Sequence, residues 1–217
     1  MSSLLRLLHL ASPALPIGAF HFSQGLEQAV ERAWVRDERS ARDWICGIAE
    51  GALATLDLPI LGRLHDSWRR GDSVSAQRWD SVLIASRETE ELRAEDRHMG
   101  AALMKILREI APELSSPACQ SYAAGFALAG HHWKVAVHEV LQAYAWAWAE
   151  NQVLAAVKLV PLGQSSGQRI LHALIPRLEQ LTERALRMTD EEIGYSGVMQ
   201  SIASARHESQ YTRLFRS

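Results

Sequence analysis

One apolar stretch limits the folds that are open to this chain. Residues 135–157 read VAVHEVLQAYAWAWAENQVLAAV, so a helix formed by them would carry apolar or small side chains on nearly all sides. Such a helix is stable only when other elements surround it, because its surface would otherwise face water. Several polar residues in or next to the stretch would be costly at the centre of a bilayer: His138, Glu139, Glu150, Asn151, Gln152 and Lys158. The stretch therefore predicts the central helix of a globular domain and not a membrane span.

Helical patterns also dominate the rest of the chain. Between residues 87 and 110 the apolar side chains recur at helical spacing: Leu92, Met99, Leu103, Ile106 and Ile110. The segment RETEELRAEDRH supplies the charged face of the same helix. The sequence contains no sustained period-two alternation, no internal repeat and no low-complexity linker. We therefore predict an all-α fold, a single helical-bundle-like domain of about eight to ten helices over residues 1–206.

Start signals divide the first half of this pattern into helices. Ser40 and Asp43 have the spacing of a capping box and predict a helix over residues 40–56. Asp57 is predicted to cap the helix that follows.

Prolines give the corresponding signals in the second half. Pro112 predicts the end of one helix, and Ser116 with Pro117 predicts the start of another. Pro176 predicts a kink or a break in the helix that begins near Ser166.

Charge and cysteine content exclude some classes of protein. The chain of 217 residues has 23 basic and 25 acidic side chains, a net charge of −2, whereas nucleic-acid-binding proteins normally carry a basic excess. Cys46 and Cys119 are the only cysteines, which indicates a reducing, cytoplasmic setting. The first residues, MSSLLRLLHLASPALP, lack a basic start and are interrupted by Arg6 and His9. They predict an amphipathic helix rather than a signal peptide.

No motif in the sequence predicts a catalytic or metal site. The histidines of HHWKVAVHE, residues 131–139, lack the i, i+4 spacing of a helical metal site. PLGQSSGQR, residues 161–169, lacks the lysine of a phosphate-binding loop. The paired carboxylates lie on charged helical faces and not in an apolar pocket. We predict no catalytic residue, no cofactor and no metal, and two alternatives stay open: a helical enzyme without a known motif, and a carrier of nickel on its own histidines.

Two segments are candidates for binding a partner. LASPALPIGAFHFSQGLE, residues 10–27, presents Phe20 and Phe22 on either side of a histidine in an irregular, proline- and glycine-containing connection. The last eleven residues, HESQYTRLFRS, place apolar side chains beside arginines that suit carboxylate or phosphate contacts: Tyr211, Arg213, Leu214, Phe215 and Arg216.

These two segments, together with the blocks between them, resemble the urease accessory protein F (UreF) family. The resemblance is carried in order by LASPALPIGAFHFSQGLEQAVE, DLPIL, ASRETEELRAEDRHMG, AWAENQVLAAVKLVPLGQSSGQR and ASARHESQYTRLFRS. Each block combines unusual residues in a long string, and together they cover essentially the whole chain. The sequence departs from the family at Phe20, where the family usually has tyrosine, and at Phe22, where it often does.

The resemblance implies a function that composition and spacing do not. It implies an all-α, dimeric, non-catalytic accessory protein that assembles with UreD (also called UreH) and the GTPase UreG on the urease apoprotein. That complex supports GTP-dependent insertion of nickel into urease. The resemblance further implies that residues 207–217 form a tail that is flexible alone, becomes ordered on UreD and helps to recruit UreG.

Carried onto this chain, the resemblance makes six residues the partner-binding candidates: Phe20, Phe22, Tyr211, Arg213, Leu214 and Phe215. We expect Arg213 to fix the tail through a charge-assisted contact. The alternative is that Arg213 or Arg216 enters the GTPase site as an arginine finger.

Overall fold

A computed structural model describes residues 3–114, 119–194 and 197–217. Within these residues it contains ten α-helical segments and no strand. They are α1 Ser3–Leu10, α2 Leu26–Glu31, α3 Glu38–Ile48, α4 Leu58–Arg69, α5 Ser73–Ala85, α6 Glu90–Ile110, α7 Tyr122–His132, α8 Val137–Leu159, α9 Gln164–Arg187 and α10 Val198–His207. Short 3-10 turns occur at Ala19–His21 and Asp190–Glu192. The all-α, single-domain prediction is confirmed.

The helix α8 is the centre of the domain, as its apolar sequence predicted. It packs most extensively against α9 and also contacts α4, α7, α1, α2 and α3. Its side chains at Val140, Leu141, Ala145, Ala149 and Val153 are all buried. Because neighbours cover it on several sides, its lack of a polar face is no obstacle to folding.

The segments α3 and α4 belong to one continuous helix. A π-helical stretch, Ala49–Asp57, joins them, so the helix runs from Glu38 to Arg69. Among the described residues this is the one helix that is long and apolar enough to cross a membrane, but 61% of its most apolar window is buried inside the domain. We therefore interpret it as a core helix, which passes the same test of length and composition.

A buried ion cluster ties this long helix to α6. Arg87 donates from Nη1 to Asp57 Oδ2 at 3.1 Å and from Nε to Asp96 Oδ2 at 2.8 Å. Asp57 and Asp96 are 6% and 5% exposed, so the guanidinium is their main source of neutralisation. Asp96 also accepts the main-chain N–H of Tyr122 at 3.0 Å. The cluster thus connects the long helix, α6 and the start of α7.

The start of α7 passes very close to α6. Asp80 accepts the main-chain N–H groups of Gln120 and Ser121 at 2.7 and 3.0 Å. A Cβ atom at Gly100 would overlap the carbonyl group of Gln120, so only glycine allows this approach. Ser121 caps α7 by accepting the Ala124 N–H. The predicted start at Ser116 and Pro117 lies outside the described residues.

Three sequence predictions about helix ends need correction. The capping box of α3 is formed by Asp37 and Ser40, so Ser40 occupies the N3 position and not the N-cap. Asp57 does not cap a helix, because the helix continues through it and its carboxylate binds Arg87. Of the kink or break predicted at Pro176, the break does not occur, because α9 runs on to Arg187. Pro176 and His172 are both exposed, so water can satisfy the carbonyl that the proline leaves unpaired.

We expect Arg87→Met to lower the free energy of unfolding by about 3–5 kcal/mol, because two buried carboxylates would lose their counter-charge. Urea denaturation followed by circular dichroism measures this loss. Arg39→Met is the matched control, since Arg39 pairs with Asp43 at 3.8 Å on an exposed face. Its effect should stay below about 1 kcal/mol. Equal losses in both variants would contradict the role given to the cluster.

Candidate partner-binding site

Two glycines shape the N-terminal part of the site. Gly18 and Gly25 have φ angles of 78° and 84°, in the left-handed region that glycine adopts without strain. Between them lies the 3-10 turn Ala19–His21. A Cβ atom at Gly25 would also press on the backbone of α10 at Ser204. The connection between α1 and α2 is therefore an ordered element that packs against the last helix.

The two phenylalanines of this connection have different environments. Phe22 is 4% exposed and its ring stacks on His98 with centroids 6.5 Å apart. Phe20 is 50% exposed and lies against the ring of His21. Phe22 is thus part of the core, and Phe20 is the one that can contact a partner.

The last residues fold back on this connection. The N–H of Arg216 donates to the carbonyl of His21 at 2.7 Å, and the N–H of Ser23 donates to the carbonyl of Ser217 at 2.8 Å. The side chain of Phe215 is 5% exposed. We call residues 18–27 together with residues 207–217 the tail platform.

Glu27 is the main polar anchor of the tail. Its Oε1 accepts the N–H of Leu214 at 2.7 Å and its Oε2 accepts the N–H of Phe215 at 2.8 Å. Glu27 is itself 7% exposed. A carboxylate that accepts two main-chain N–H groups makes strong, charge-assisted hydrogen bonds, so this residue holds the tail in one conformation.

His207 lies between two carboxylates at the start of the tail. Its Nε2 is 3.0 Å from Glu27 Oε2 and its Nδ1 is 2.8 Å from Glu91 Oε2, and the ring is fully buried. The ring therefore links Glu27 on α2 to Glu91 on α6. Glu91 also accepts from Arg213 Nη1 at 3.0 Å. Even so, burial raises the pKa of Glu91 above its ordinary value.

Glu95 connects the tail to the interior. It accepts from Gln24 Nε2 at 2.8 Å and from the Ser217 hydroxyl at 3.0 Å. Burial raises the pKa of Glu95 to about 7, against the lowering effect of these two hydrogen bonds. Glu95 also lines an interior cavity of about 120 Å³, next to the Asp57–Arg87–Asp96 cluster.

The six residues predicted from the sequence lie together on the tail platform or next to it. Lys158 joins the two aromatics, since its Nζ is 5.8 Å from the centroid of the Phe20 ring and 5.7 Å from that of Phe215. Tyr211 and Leu214 are 103% and 66% exposed, and the Arg213 side chain is 41% exposed. The exposed part of the platform is therefore Phe20, Tyr211, Arg213 and Leu214, while Phe22 and Phe215 attach it to the core.

Sequence reasoning missed the residues that anchor the tail: Glu27, Glu91, Glu95, Lys158 and His207. They come from three helices besides the tail and are more than a hundred positions from several of their partners. Glu91 and Glu95 were assigned to a charged, solvated face, because helical spacing alone does not show which charges a tail will cover.

Among the residues that the structure describes, no group of three or more histidine, cysteine, aspartate or glutamate side chains could hold a metal ion.

Comparison with known proteins identifies the family. A family model described as UreF matches residues 35–175. A relative named urease accessory protein UreF from Alkalilimnicola ehrlichii is 45% identical over 216 residues, covering 98% of this chain and 95% of the relative. Proteins of the same name from Teredinibacter turnerae and Alcanivorax borkumensis are each 42% identical, covering 100% of this chain and 99% of each relative.

The chain belongs to the UreF family.

The two comparisons cover different parts of the site. The UreF family model begins at residue 35 and ends at residue 175, so it includes the long helix and α8 but none of the tail platform. The alignments with the UreF relatives extend over nearly the whole chain. The helical body therefore suffices to assign the family, and the platform lies in the regions that only the full-length relatives cover.

We expect Glu27→Gln to loosen the tail without unfolding the domain. In this variant a neutral amide replaces the carboxylate that accepts two N–H groups. We expect the free energy of local opening of the tail to fall by about 1–3 kcal/mol. Hydrogen exchange of the Leu214 and Phe215 amides should therefore accelerate. Glu31→Gln, an exposed change on the same helix, is the control. Equal exchange rates in the two variants would contradict the anchoring role.

Glu95 should make stability fall as pH rises. Its folded pKa of about 7 lies above the ordinary value of 4.5, so the folded chain retains a proton that the unfolded chain releases first. Between about pH 4.5 and pH 7 this lowers the free energy of unfolding by about 3 kcal/mol in total. Glu95→Gln removes this contribution. Urea denaturation of both proteins near pH 5 and near pH 8 measures it, and an equal pH dependence in the two would contradict it.

Proposed function

We propose that this protein is a non-catalytic accessory protein of urease maturation. In this proposal it assembles as a homodimer in the cytoplasm with UreD/UreH and the GTPase UreG on the urease apoprotein. The complex then supports GTP-dependent insertion of nickel into urease. Membership of the UreF family and the name of its relatives, urease accessory protein, support this assignment.

The observation that carries the proposal is the exposure of large apolar side chains on an anchored tail. Tyr211 and Leu214 project from a backbone that Glu27 holds at residues 214 and 215. Aromatic side chains and arginines are the residues that most often dominate binding energy at protein interfaces. A tail that is already positioned loses less conformational entropy on binding than a free segment would. The tail platform is therefore suited to receive a partner.

The anchoring contacts also bear on the order of assembly. Main-chain hydrogen bonds to Glu27 hold the tail, and Phe215 is its one large apolar side chain buried in the described structure. In this proposal UreD covers Tyr211 and Leu214 while these contacts keep the tail in place. We propose that UreD and the tail together build the surface to which UreG binds, so that UreG joins after UreD.

Arg213 is assigned a holding role in this proposal. Its guanidinium contacts Glu91, which also contacts His207, so the arginine belongs to the cluster that fixes the start of the tail. A role as an arginine finger would require it to leave Glu91. The ion pair therefore favours the structural role, and single-turnover GTP hydrolysis by UreG with and without Arg213 separates the two.

We expect Arg213→Ala to weaken recruitment of UreG while leaving the isolated protein folded, because His207 still contacts Glu91. Co-expression with UreD and UreG, followed by co-purification on tagged UreD, measures this. Unchanged recovery of UreG with the variant would contradict the assigned role of Arg213.

We expect the double variant Tyr211→Ala with Leu214→Ala to reduce capture of UreD by about tenfold or more, since exposed apolar anchors would be lost. The control is Ile110→Ala with Ile175→Ala, two other exposed apolar positions. These substitutions test the exposed side chains alone, whereas deletion of residues 207–217 would also remove His207 from between Glu27 and Glu91. Equal capture by both double variants would contradict the proposed site.

A further inference from the structure

A second concave surface lies between α4, α5, the α7–α8 connection and the end of α9. It encloses about 880 Å³ and shares no lining residue with the tail platform. Five of its lining residues are cationic: Arg63, Arg69, Arg70, Arg78 and Lys134. We call this surface the basic groove.

The charge of the basic groove differs from that of the whole chain. Its only lining carboxylates among the described residues are Asp66 and Asp190, which leaves a net charge of +3 in a chain whose net charge is −2. His65 and His131 add little charge near neutral pH, because burial lowers the pKa of each. The groove is therefore a local positive region on an otherwise acidic molecule, the arrangement that attracts an acidic ligand.

Two of the five cations have no carboxylate partner within the described residues. Arg69 and Arg70 share Asp66, and Arg63 pairs with Asp190 at 2.7 Å. Arg78 instead lies over the ring of Trp79, 5.6 Å from its centroid.

Lys134, the second unpaired cation, follows the end of α7 with a φ angle of 56°. A lysine in this left-handed conformation costs free energy that glycine would avoid. The conformation ends α7, where the N–H of Val135 donates to the carbonyl of Gly130 at 2.9 Å, and it leaves the Lys134 side chain exposed.

The neighbouring helix ends indicate which anion the groove can hold. Phosphate groups in proteins commonly bind the free N–H groups at a helix N-terminus. Here the N-terminus of α5 is capped by Asp72, which accepts the Ser75 N–H at 2.9 Å. The N-terminus of α8 is covered by Glu139, which accepts the Ala136 N–H at 3.3 Å. A carboxylate thus already lies at each of these helix ends, and the cationic side chains are the groups best placed to hold an anion in the groove.

Three apolar side chains with accessible surface line the same groove: Trp79, Val137 and Leu186. A free phosphate ion gains no binding free energy from apolar contacts. A polypeptide with acidic and apolar side chains can satisfy both the cations and the apolar residues.

We propose that the basic groove is a docking site for an acidic polypeptide segment of a partner protein. Acidic side chains of the segment contact Arg78 and Lys134, and an apolar side chain packs beside Trp79 and Val137. The proposal does not depend on the tail platform, so the two can fail separately.

The test uses the full chain and a fluorescein-labelled peptide that repeats Glu-Glu-Leu, with fluorescence anisotropy as the readout. We expect saturable binding that weakens as sodium chloride is added. A peptide that repeats Glu-Glu-Ser should bind more weakly, because it lacks the apolar side chain. An affinity that does not change with sodium chloride concentration, or equal affinity for both peptides, would overturn the proposal. If inorganic pyrophosphate, added at the same concentration of negative charge, displaces the labelled peptide, the proposal is also overturned and the groove is a phosphate site.

Charge reversal locates the binding. We expect Arg78→Glu with Lys134→Glu to weaken the Glu-Glu-Leu peptide by about tenfold or more. Arg97→Glu with Lys105→Glu is the matched control, since it makes the same change in net charge at exposed positions of α6. If both double variants lose affinity equally, the loss is caused by the change in net charge and the groove is not the binding site.

Lys134→Gly separates loss of binding from loss of stability. It removes one cation and relieves the left-handed conformation, so Tm should rise while affinity for the peptide falls. A rise in Tm with unchanged affinity would remove Lys134 from the site.

Discussion

The rest of the structure depends on the ion pairs that the guanidinium of Arg87 makes with two buried carboxylates. The guanidinium neutralises Asp57 on the long helix and Asp96 on α6, and Asp96 in turn receives the first N–H of α7. The long helix, α6 and the start of α7 are thereby positioned by one buried charge. Hydrophobic burial drives the assembly of such a domain but specifies little about register. The ion cluster favours one register, because any shift would leave a carboxylate buried without its cation.

The same group of buried acids extends to the tail. Glu95 is adjacent to Asp96 in the chain and accepts the hydroxyl of Ser217, while Glu91, one turn earlier on α6, contacts His207 and Arg213. One face of α6 thus serves the core through Asp96 and the tail platform through Glu91 and Glu95. A partner that displaced the tail would expose carboxylates that the tail now covers, so binding of a partner and the electrostatics of α6 are linked.

Much of the fold followed from sequence patterns, and the failures have a common cause. The central position of α8 and the course of α6 were predictable, since both depend on the local arrangement of apolar side chains. The capping roles predicted for Ser40 and Asp57 were wrong because each residue has another partner that the short motif does not reveal. Asp37 precedes Ser40 at the same spacing, and Asp57 finds Arg87 thirty residues away. Local motifs identify candidates for a role, and tertiary contacts choose among them.

The sequence by itself determined the helical class, the central helix and the family, because periodicity and long residue strings are local properties of the chain. It also identified six candidate partner-binding residues: Phe20, Phe22, Tyr211, Arg213, Leu214 and Phe215. Only the tertiary structure decided that Phe22 and Phe215 are buried, that Glu27 holds the tail, and that five cations converge on one groove. These results depend on contacts between residues far apart in the sequence, and no pattern within one segment encodes which distant side chain will complete a buried charge.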